Sequence, residues 1–375
     1  LLFKDRSSTV EFLGFSFKNS ALISFVTAAA FLVVAFLSPL LSGIADYTGN
    51  KKIFMKTFNY IGALACVGLA WFEMGTFYWG VVCYFLGLLG FWGSLVFYNS
   101  YLPDIAFPEQ QDAISAKGYS LGYIGSVVLL ILNLVMVMFP ETFGISAWTA
   151  MKLSFVSVGV WWIGFSQYSY YYLPKGVGKG NRITREVLSS GFRELRKVAG
   201  ELGSNLRLKR YLIAFFVYSM AVQTVMLVAT YFGAQEIQWE SDEQSSQGLI
   251  ICILLIQFLA VAGAFLTSYC SSKIGNVYTL IVLNISWILI CVSAYFVYSP
   301  LAFYCMASCV GLVMGGIQSL SRSTYSKFLP NTTDTTSYFS FYDVAEKIGI
   351  VIGMLLYGLI DQITGSARNA VFFLT

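Results

Sequence analysis

The chain has no histidine among its 375 residues. That removes Ser-His-Asp catalysis, Cys-His nucleophiles and histidine proton relays from these residues. Charge is scarce as well: Asp, Glu, Lys and Arg make up 11% of the sequence, against about a quarter in ordinary soluble domains. With 57% hydrophobic and 17% aromatic residues and a mean hydropathy of +0.70, the polypeptide suits lipid rather than water as its solvent. Its cysteines (Cys66, Cys83, Cys252, Cys270, Cys291, Cys305 and Cys309) fall within or at the ends of apolar runs. A thiol acts there as a small hydrophobe, and the spacing offers neither a disulfide framework nor a zinc site. No cofactor and no metal are expected.

Long apolar runs are what the chain has in quantity. Stretches of about 20 residues, enough to cross a bilayer, cover residues 19–43, 53–73, 76–102, 119–139, 148–173, 209–234, 246–271, 276–298, 299–320 and 338–361, and a further run opens at Asn369. The pattern repeats internally. Tyr98-Asn99-Ser100-Tyr101-Leu102-Pro103 returns 227 residues later as Tyr325-Ser326-Lys327-Phe328-Leu329-Pro330. The hairpin from Leu41 to Asn50 lines up with Thr267 to Asn276 at almost the same offset. Duplicated helical bundles in an apolar chain characterise secondary transporters. The repeat offset pairs the run at 209–234 with a helix lying before Leu1, so two pseudo-symmetric six-helix bundles are expected, with the first helix and most of the last outside this sequence. The expected fold class is an all-α membrane protein: residues 1–173 one bundle, 174–208 a basic linker, and 209–375 the second bundle.

Lysine and arginine set the orientation, because cytoplasmic loops are enriched in both. Seventeen fall on one side, ten of them between Lys175 and Arg210, and five on the other: Lys4, Arg6, Lys18, Lys152 and Arg368. The linker is therefore expected in the cytoplasm, and the net charge of +4 is a topology signal that calls for no nucleic acid. Within the linker, Ile183, Val187, Leu188, Phe192, Leu195, Val198, Ala199 and Leu202 recur at helical spacing. Basic and acidic residues fill the other faces, as in an amphipathic helix lying on anionic lipid. A plain tether between the bundles fits the same pattern. Glu236, Glu240, Asp242 and Glu243 form an acidic loop on the outer side.

Gly43-Ile44-Ala45-Asp46-Tyr47-Thr48-Gly49-Asn50-Lys51-Lys52 combines glycines for a tight turn, a carboxylate able to cap helix N–H groups, and lysines suited to lipid headgroups. It resembles the G-x-L-A-D-x-x-G-[RK]-[RK] hairpin of major facilitator superfamily transporters. The resemblance implies that Asp46 helps hold a cytoplasmic gate closed. In the second copy Ser272 stands at the position of Asp46 and the paired lysines are missing, so any such latch is expected to be asymmetric. A narrower resemblance comes from Gly315-Gly316-Ile317-Gln318-Ser319-Leu320-Ser321-Arg322-Ser323, Phe328-Leu329-Pro330, and Phe339 to Gly349, with Tyr98 to Asp104 and Gly118 to Gly125. Together these are similar to the vacuole-effluxer, or autophagy-related permease, branch of that superfamily. Fungal members of the branch are implicated in exporting amino acids from the vacuole. One departure is Glu346, which stands beside the lysine where the branch suggests a small or neutral residue.

Asp343, Glu346 and Lys347 are the costliest side chains in the chain, because ionisable groups within a span require partners and usually mark a pathway. At i, i+3 and i+4 they share one side of a helix, and Asp343 is placed to pair with Lys347. Arg322, on the preceding span, is a candidate partner for either acid. A gate or coupling network and a static pair fixing the helix are both open. The deeper polar residues are neutral: Gln223, Gln257, Asn133, Asn99 and Gln318. Amides in lipid need partners, and superfamily architecture would place these spans around a central cavity, so these five and Trp92 are the candidate substrate contacts, with interhelical bonds for the amides and core packing for Trp92 equally open. The candidate gating and coupling set is thus Gly43, Asp46, Gly49, Lys51, Lys52, Arg322, Asp343, Glu346 and Lys347.

The expectation is a non-enzymatic, multi-pass transporter of the bacterial inner membrane. It moves a small solute such as an amino acid by alternating access as a monomer among membrane lipids. A proton is allowed for as a co-transported ion through Asp343 or Glu346. Two alternatives stay open: a non-transporting sensor or scaffold with the transporter fold, and an integral membrane enzyme acting on lipid.

Overall fold

Each of the ten apolar runs is a helix. A computed structural model of the chain describes residues 9–12, 15–176 and 185–374; Lys4, Arg6, Lys179, Arg182 and Ile183 lie outside the described residues. The elements in order are β1 (Thr9–Phe12), β2 (Phe15–Lys18), α1 (Asn19–Thr48), α2 (Lys51–Gly68), α3 (Phe77–Asn99), α4 (Leu102–Ile105), α5 (Gln111–Met138) and α6 (Ala147–Tyr172), then α7 (Arg185–Ser204), α8 (Leu206–Glu236), α9 (Asp242–Ile274), α10 (Asn276–Ala294), α11 (Pro300–Phe328), α12 (Thr335–Thr364) and α13 (Ala367–Phe373). Eight of them, α1 to α3, α5 and α8 to α11, are long and apolar enough to cross a membrane. Helices α6 and α12 also have the length, at 26 and 30 residues. The first ends in the tyrosine-rich segment Gln167–Tyr172, and the second carries Asp343, Glu346, Lys347 and Asp361. Among the described residues the only strands are the antiparallel pair β1–β2, with Thr9 opposite Lys18 and Phe12 opposite Phe15. Apolar and polar residues alternate through both segments, the period of a strand.

Local chemistry fixes the helix ends. Ser146, Asn205, Ser241 and Ser299 each accept a hydrogen bond from the backbone N–H three residues on, starting α6, α8, α9 and α11. The α1–α2 and α9–α10 turns pivot on Gly49 (φ 68°) and Gly275 (φ 87°). Both lie in the left-handed region that a Cβ disfavours, and they occupy equivalent positions in the two repeat copies.

The chain forms two compact units. The first comprises Leu1–Tyr101, Ile131–Ala199 and Thr333–Lys347; the second comprises Leu102–Leu130, Gly200–Thr332 and Ile348–Thr375. In the first, α2 packs on α3 and α6, and α1 on α3. Ala45, Met55, Phe58, Phe97, Tyr101 and Tyr170 form a core there, and Phe97 stacks on Phe54 with ring centroids 5.5 Å apart. In the second unit the most extensive pairing is α9 with α11. A Cβ at Gly263 would collide with the carbonyl of Leu312, and one at Gly315 with the carbonyl of Ala260, so the two backbones touch directly. This is small-residue packing of the kind that holds helices together where lipid offers no hydrophobic drive. Gly315→Leu is therefore expected to destabilise by no less than the typical overpacking penalty of about 1–3 kcal/mol, and to lower the melting temperature in detergent. Gly358→Leu, on a stretch of α12 where a Cβ meets nothing within 4 Å, is expected to leave it unchanged.

Candidate functional site

The α1–α2 hairpin closes three helix ends at once. Every helix leaves unpaired N–H groups at its start and unpaired carbonyls at its end, and within the first unit this hairpin supplies partners for both kinds. Asp46, 6% exposed, accepts the backbone N–H of Ser337 at 2.6 Å on Oδ2 and that of Thr336 at 3.3 Å on Oδ1. A carboxylate thus sits on the positive end of α12, where the helix dipole favours it. Lys51 reaches the carbonyl of Ser100 at the end of α3 (2.8 Å) and the hydroxyl of Thr335 (3.0 Å), with its ammonium 4.5 Å from the Tyr101 ring centre. Lys52 donates to the carbonyl of Leu173 beyond α6 at 2.7 Å. Both lysines turn inward, 9% and 8% exposed, rather than out to lipid headgroups, because unpaired carbonyls at helix ends lie within their reach. Gly43 is buried on the same hairpin, and Gly49 makes its turn. Lys197 of α7 pairs at 3.0 Å with Asp334, immediately before α12, so the linker helix holds the same helix start from another side.

Further along α12, Lys347 is completely buried. Its ammonium lies 2.9 Å from Asp343 and 2.8 Å from Glu346, and 4.0 Å from the centre of the Trp92 ring. Ser38 of α1, next to Pro39, donates to the second oxygen of Asp343 at 3.3 Å. The lysine is thus caged by two carboxylates and an aromatic face, all within the first unit. The i, i+4 spacing points to the Asp343–Lys347 pair; Ser38 carries no signal in the sequence, and Trp92, a candidate for the solute cavity, lies against the lysine.

The second unit contains the counterpart of the hairpin. Asp112, in the first turn of α5 and 8% exposed, accepts from Lys327 (2.6 Å), Ser271 (3.0 Å) and Asn276 (2.8 Å). Asn276 spans the pair, since its Oδ1 accepts from Lys327 at 3.1 Å. Arg322 bonds the hydroxyl of Ser115 (3.0 Å) and its carbonyl (3.1 Å) and lies 4.5 Å from the Tyr119 ring centre. No local spacing in the sequence marks Asp112, Ser115, Ser271, Asn276 or Lys327 as a functional residue. The signal lay in the repeat, where Lys327 occupies the place of Ser100.

The neutral polar residues divide. Asn133 accepts from Ser157 of α6 at 2.8 Å, an interhelical bond in the first unit, where Asn99 also lies half-buried. In the second unit Gln318 accepts from the Tyr123 hydroxyl at 2.6 Å, while its amide nitrogen meets the thioether of Met226 at 3.9 Å, a weak acceptor. Gln257 is half-buried on α9. Gln223 is half-buried on α8. At Gly353 of α12 a Cβ would strike the Thr224 hydroxyl of that helix, so α8 and α12 approach closely there. On the acidic loop, Glu236 holds Arg368 at 2.8 Å and the backbone N–H of Ala367 at 3.1 Å, pinning α13 to α8. Among the described residues no cluster of potential metal ligands occurs.

Known proteins share this fold. The family model described as vacuole effluxer Atg22 like matches residues 4–375. An MFS-type transporter, YxiO of Bacillus subtilis, is 28% identical over 366 residues, covering 95% of this chain and 82% of that protein. Autophagy-related protein 22-2 of Aspergillus niger is 23% identical over 455 residues, covering 97% and 75%. Among solved structures, the major facilitator transporter FucP in the outward conformation matches with a TM-score of 0.70 at 12% identity, covering 99% of this chain and 88% of that one. A single-residue variant of the E. coli fucose:proton symporter FucP matches with a TM-score of 0.66 at 14% identity, covering 95% and 93%. The chain belongs to the vacuole effluxer Atg22-like family and is an integral, multi-pass membrane transporter with the major facilitator fold.

Proposed function

We propose that the chain carries a small zwitterionic or neutral solute, with amino acids the foremost class, across a bacterial plasma membrane by alternating access. In this reading residues 1–173 and 209–375 act as two bundles joined by the linker 174–208, the protein works as a monomer, and the grip of Asp46 and Lys51 on the first turn of α12 is a cytoplasmic closure contact. The observation that carries the solute class is the state of two amides on α9 and α11. Gln257 makes no side-chain hydrogen bond among the described residues, and the Gln318 nitrogen has a thioether as its described acceptor. An amide in an apolar span is costly until it finds a good partner, and a solute bearing carboxylate or amide groups supplies one. Gln223 is the further candidate contact in the second unit, and Trp92, Asn99 and Asn133 are the candidates in the first unit. Asp343 and Glu346 are the candidates for carrying a proton with the solute, as suits a fold shared with a protein named a fucose:proton symporter.

Radiotracer uptake of amino acids into proteoliposomes, with and without an imposed pH gradient, tests the reading. Saturable uptake accelerated by the gradient is expected; no flux of any amino acid would overturn the solute class. Gln257→Leu and Gln318→Leu are each expected to raise KM about tenfold, the effect of one lost hydrogen bond of about 1.4 kcal/mol, with the protein as soluble in detergent as the parent. An unchanged KM in both would remove these amides from the solute site.

A further inference from the structure

We propose that a cavity inside the second unit binds a small neutral molecule with an apolar body and one acceptor oxygen, the class of a short-chain ketone, and that the indole N–H of Trp287 is the group that holds it. The cavity measures about 70 Å³. Five helices, α8 to α11 and α13, enclose it in the half of the unit nearest the α8–α9 loop. Met226, Cys252, Ala307 and Val371 belong to its wall, and Thr230 is its exposed member. None of Gln223, Gln257 and Gln318 lines it, so this site stands apart from the solute contacts proposed above.

An indole carries a donor and no acceptor, and when buried it ordinarily finds a partner. Trp79 donates to the Gly68 carbonyl at 2.9 Å and Trp239 to the Gly233 carbonyl at 2.7 Å. Trp287 is 3% exposed, yet its Nε1 has no hydrogen-bond partner among the described residues. The wall offers it little. Apart from Trp287 and Thr230, the lining side chains are hydrocarbon, thiol or thioether, and sulfur is a weak acceptor. Water fits the cavity poorly, because a buried water needs two to four polar partners. A charged ligand would lie there uncompensated. What the wall satisfies is a single acceptor on an otherwise apolar body. Size narrows the class further: an apolar cavity of about 150 Å³ takes benzene. One of about half that volume, with the flexible Met226 and Met306 in its wall, takes a body of roughly three to five heavy atoms. The unpaired donor is particular to the second repeat. Counting on from the aligned Asn50 and Asn276, Trp287 corresponds to Ile61, so an aliphatic side chain serves the same helix position in the first copy.

The test is an NMR titration of the full chain in nanodiscs, isotope-labelled at the tryptophan indole nitrogens, with butanone and with the alkene that carries a methylene in place of its oxygen. Butanone is expected to shift one indole N–H signal downfield, the signal that Trp287→Phe lacks. Affinities come from the ligand's own signals. Trp287→Phe is expected to bind butanone about tenfold more weakly than the parent, the effect of one hydrogen bond, and to bind the alkene as the parent does, which shows the cavity intact. Ala307→Leu, whose longer side chain fills the space, is expected to bind neither compound. Equal butanone affinity in the parent and Trp287→Phe would overturn the proposal, as would parental affinity in Ala307→Leu. A Trp287 N–H already hydrogen-bonded to water in the unliganded protein would overturn it too, since the donor would then need no ligand. Transport plays no part in this measurement, so a failed uptake experiment would count against the proposed function alone.

Discussion

Replacing Lys347 by methionine is expected to cost more than any other single change in this chain. The ammonium is fully buried within 3 Å of two carboxylates, and methionine leaves Asp343 and Glu346 facing each other beside the Trp92 ring with their shared cation gone. Breaking a buried ion pair from one side typically costs about 3–5 kcal/mol, because the surviving charge is left uncompensated in a medium of low dielectric. That is a large share of the roughly 5–15 kcal/mol that stabilises a typical fold. Loss of the monodisperse peak on size exclusion in detergent is the expected readout. The mechanism is checked by restoring neutrality. Asp343→Asn with Glu346→Gln in the Lys347→Met background removes both stranded charges, and such replacements are often close to neutral when all members change together. The triple variant is expected to regain the monodisperse peak and to remain inactive in gradient-driven uptake. If the single variant ran as sharply as the parent, the cage would contribute little to the fold.

The sequence exposed some levels of this architecture far better than others. Helix positions were legible because apolar runs longer than a bilayer's thickness have few alternatives in lipid; all ten runs are helices, and the run at Asn369 opens into α13. The i, i+4 spacing of Asp343 and Lys347 was legible for the same reason, since helix geometry alone brings them together. Ser38 lies 305 residues from Asp343, and no local periodicity marks it. Lys51 and Lys52 read as headgroup lysines because sequence does not reveal which carbonyls end up within reach, and the ends of α3 and α6 are brought there by packing. Nothing local marks Asp112, because its partners Ser271, Asn276 and Lys327 lie 159, 164 and 215 residues away. Only when Lys327 is seen in the place of Ser100, and Ser272 in the place of Asp46, does an acid on α5 acquire a purpose. The repeat contained that information as a difference between its copies, while similarity between copies is what first draws attention.

Asp46 offers the sharpest local test of closure at the first hairpin. Its two oxygens take the N–H groups of Thr336 and Ser337, which lie in the first turn of α12 and therefore lack intrahelical acceptors. A charge-assisted hydrogen bond contributes about 1.5–3 kcal/mol and the favourable dipole a further 0.3–1 kcal/mol or so. Asp46→Ala removes both contributions. Asp46→Asn keeps one acceptor oxygen and loses the charge, so it is expected to lie between alanine and the parent. With about 1.4 kcal/mol per factor of ten, alanine should loosen the start of α12 at least tenfold and asparagine several-fold. Hydrogen exchange over residues 334–343 reports this directly, because Thr336 and Ser337 are the amides that Asp46 covers. The gradation should reappear in uptake, with alanine slower than asparagine and asparagine slower than the parent. Lys51→Gln should fall near asparagine, since a neutral amide still reaches the Ser100 carbonyl. If exchange over residues 334–343 stayed at the parental rate in Asp46→Ala while uptake still collapsed, the carboxylate would act on transport by some route other than its hold on α12.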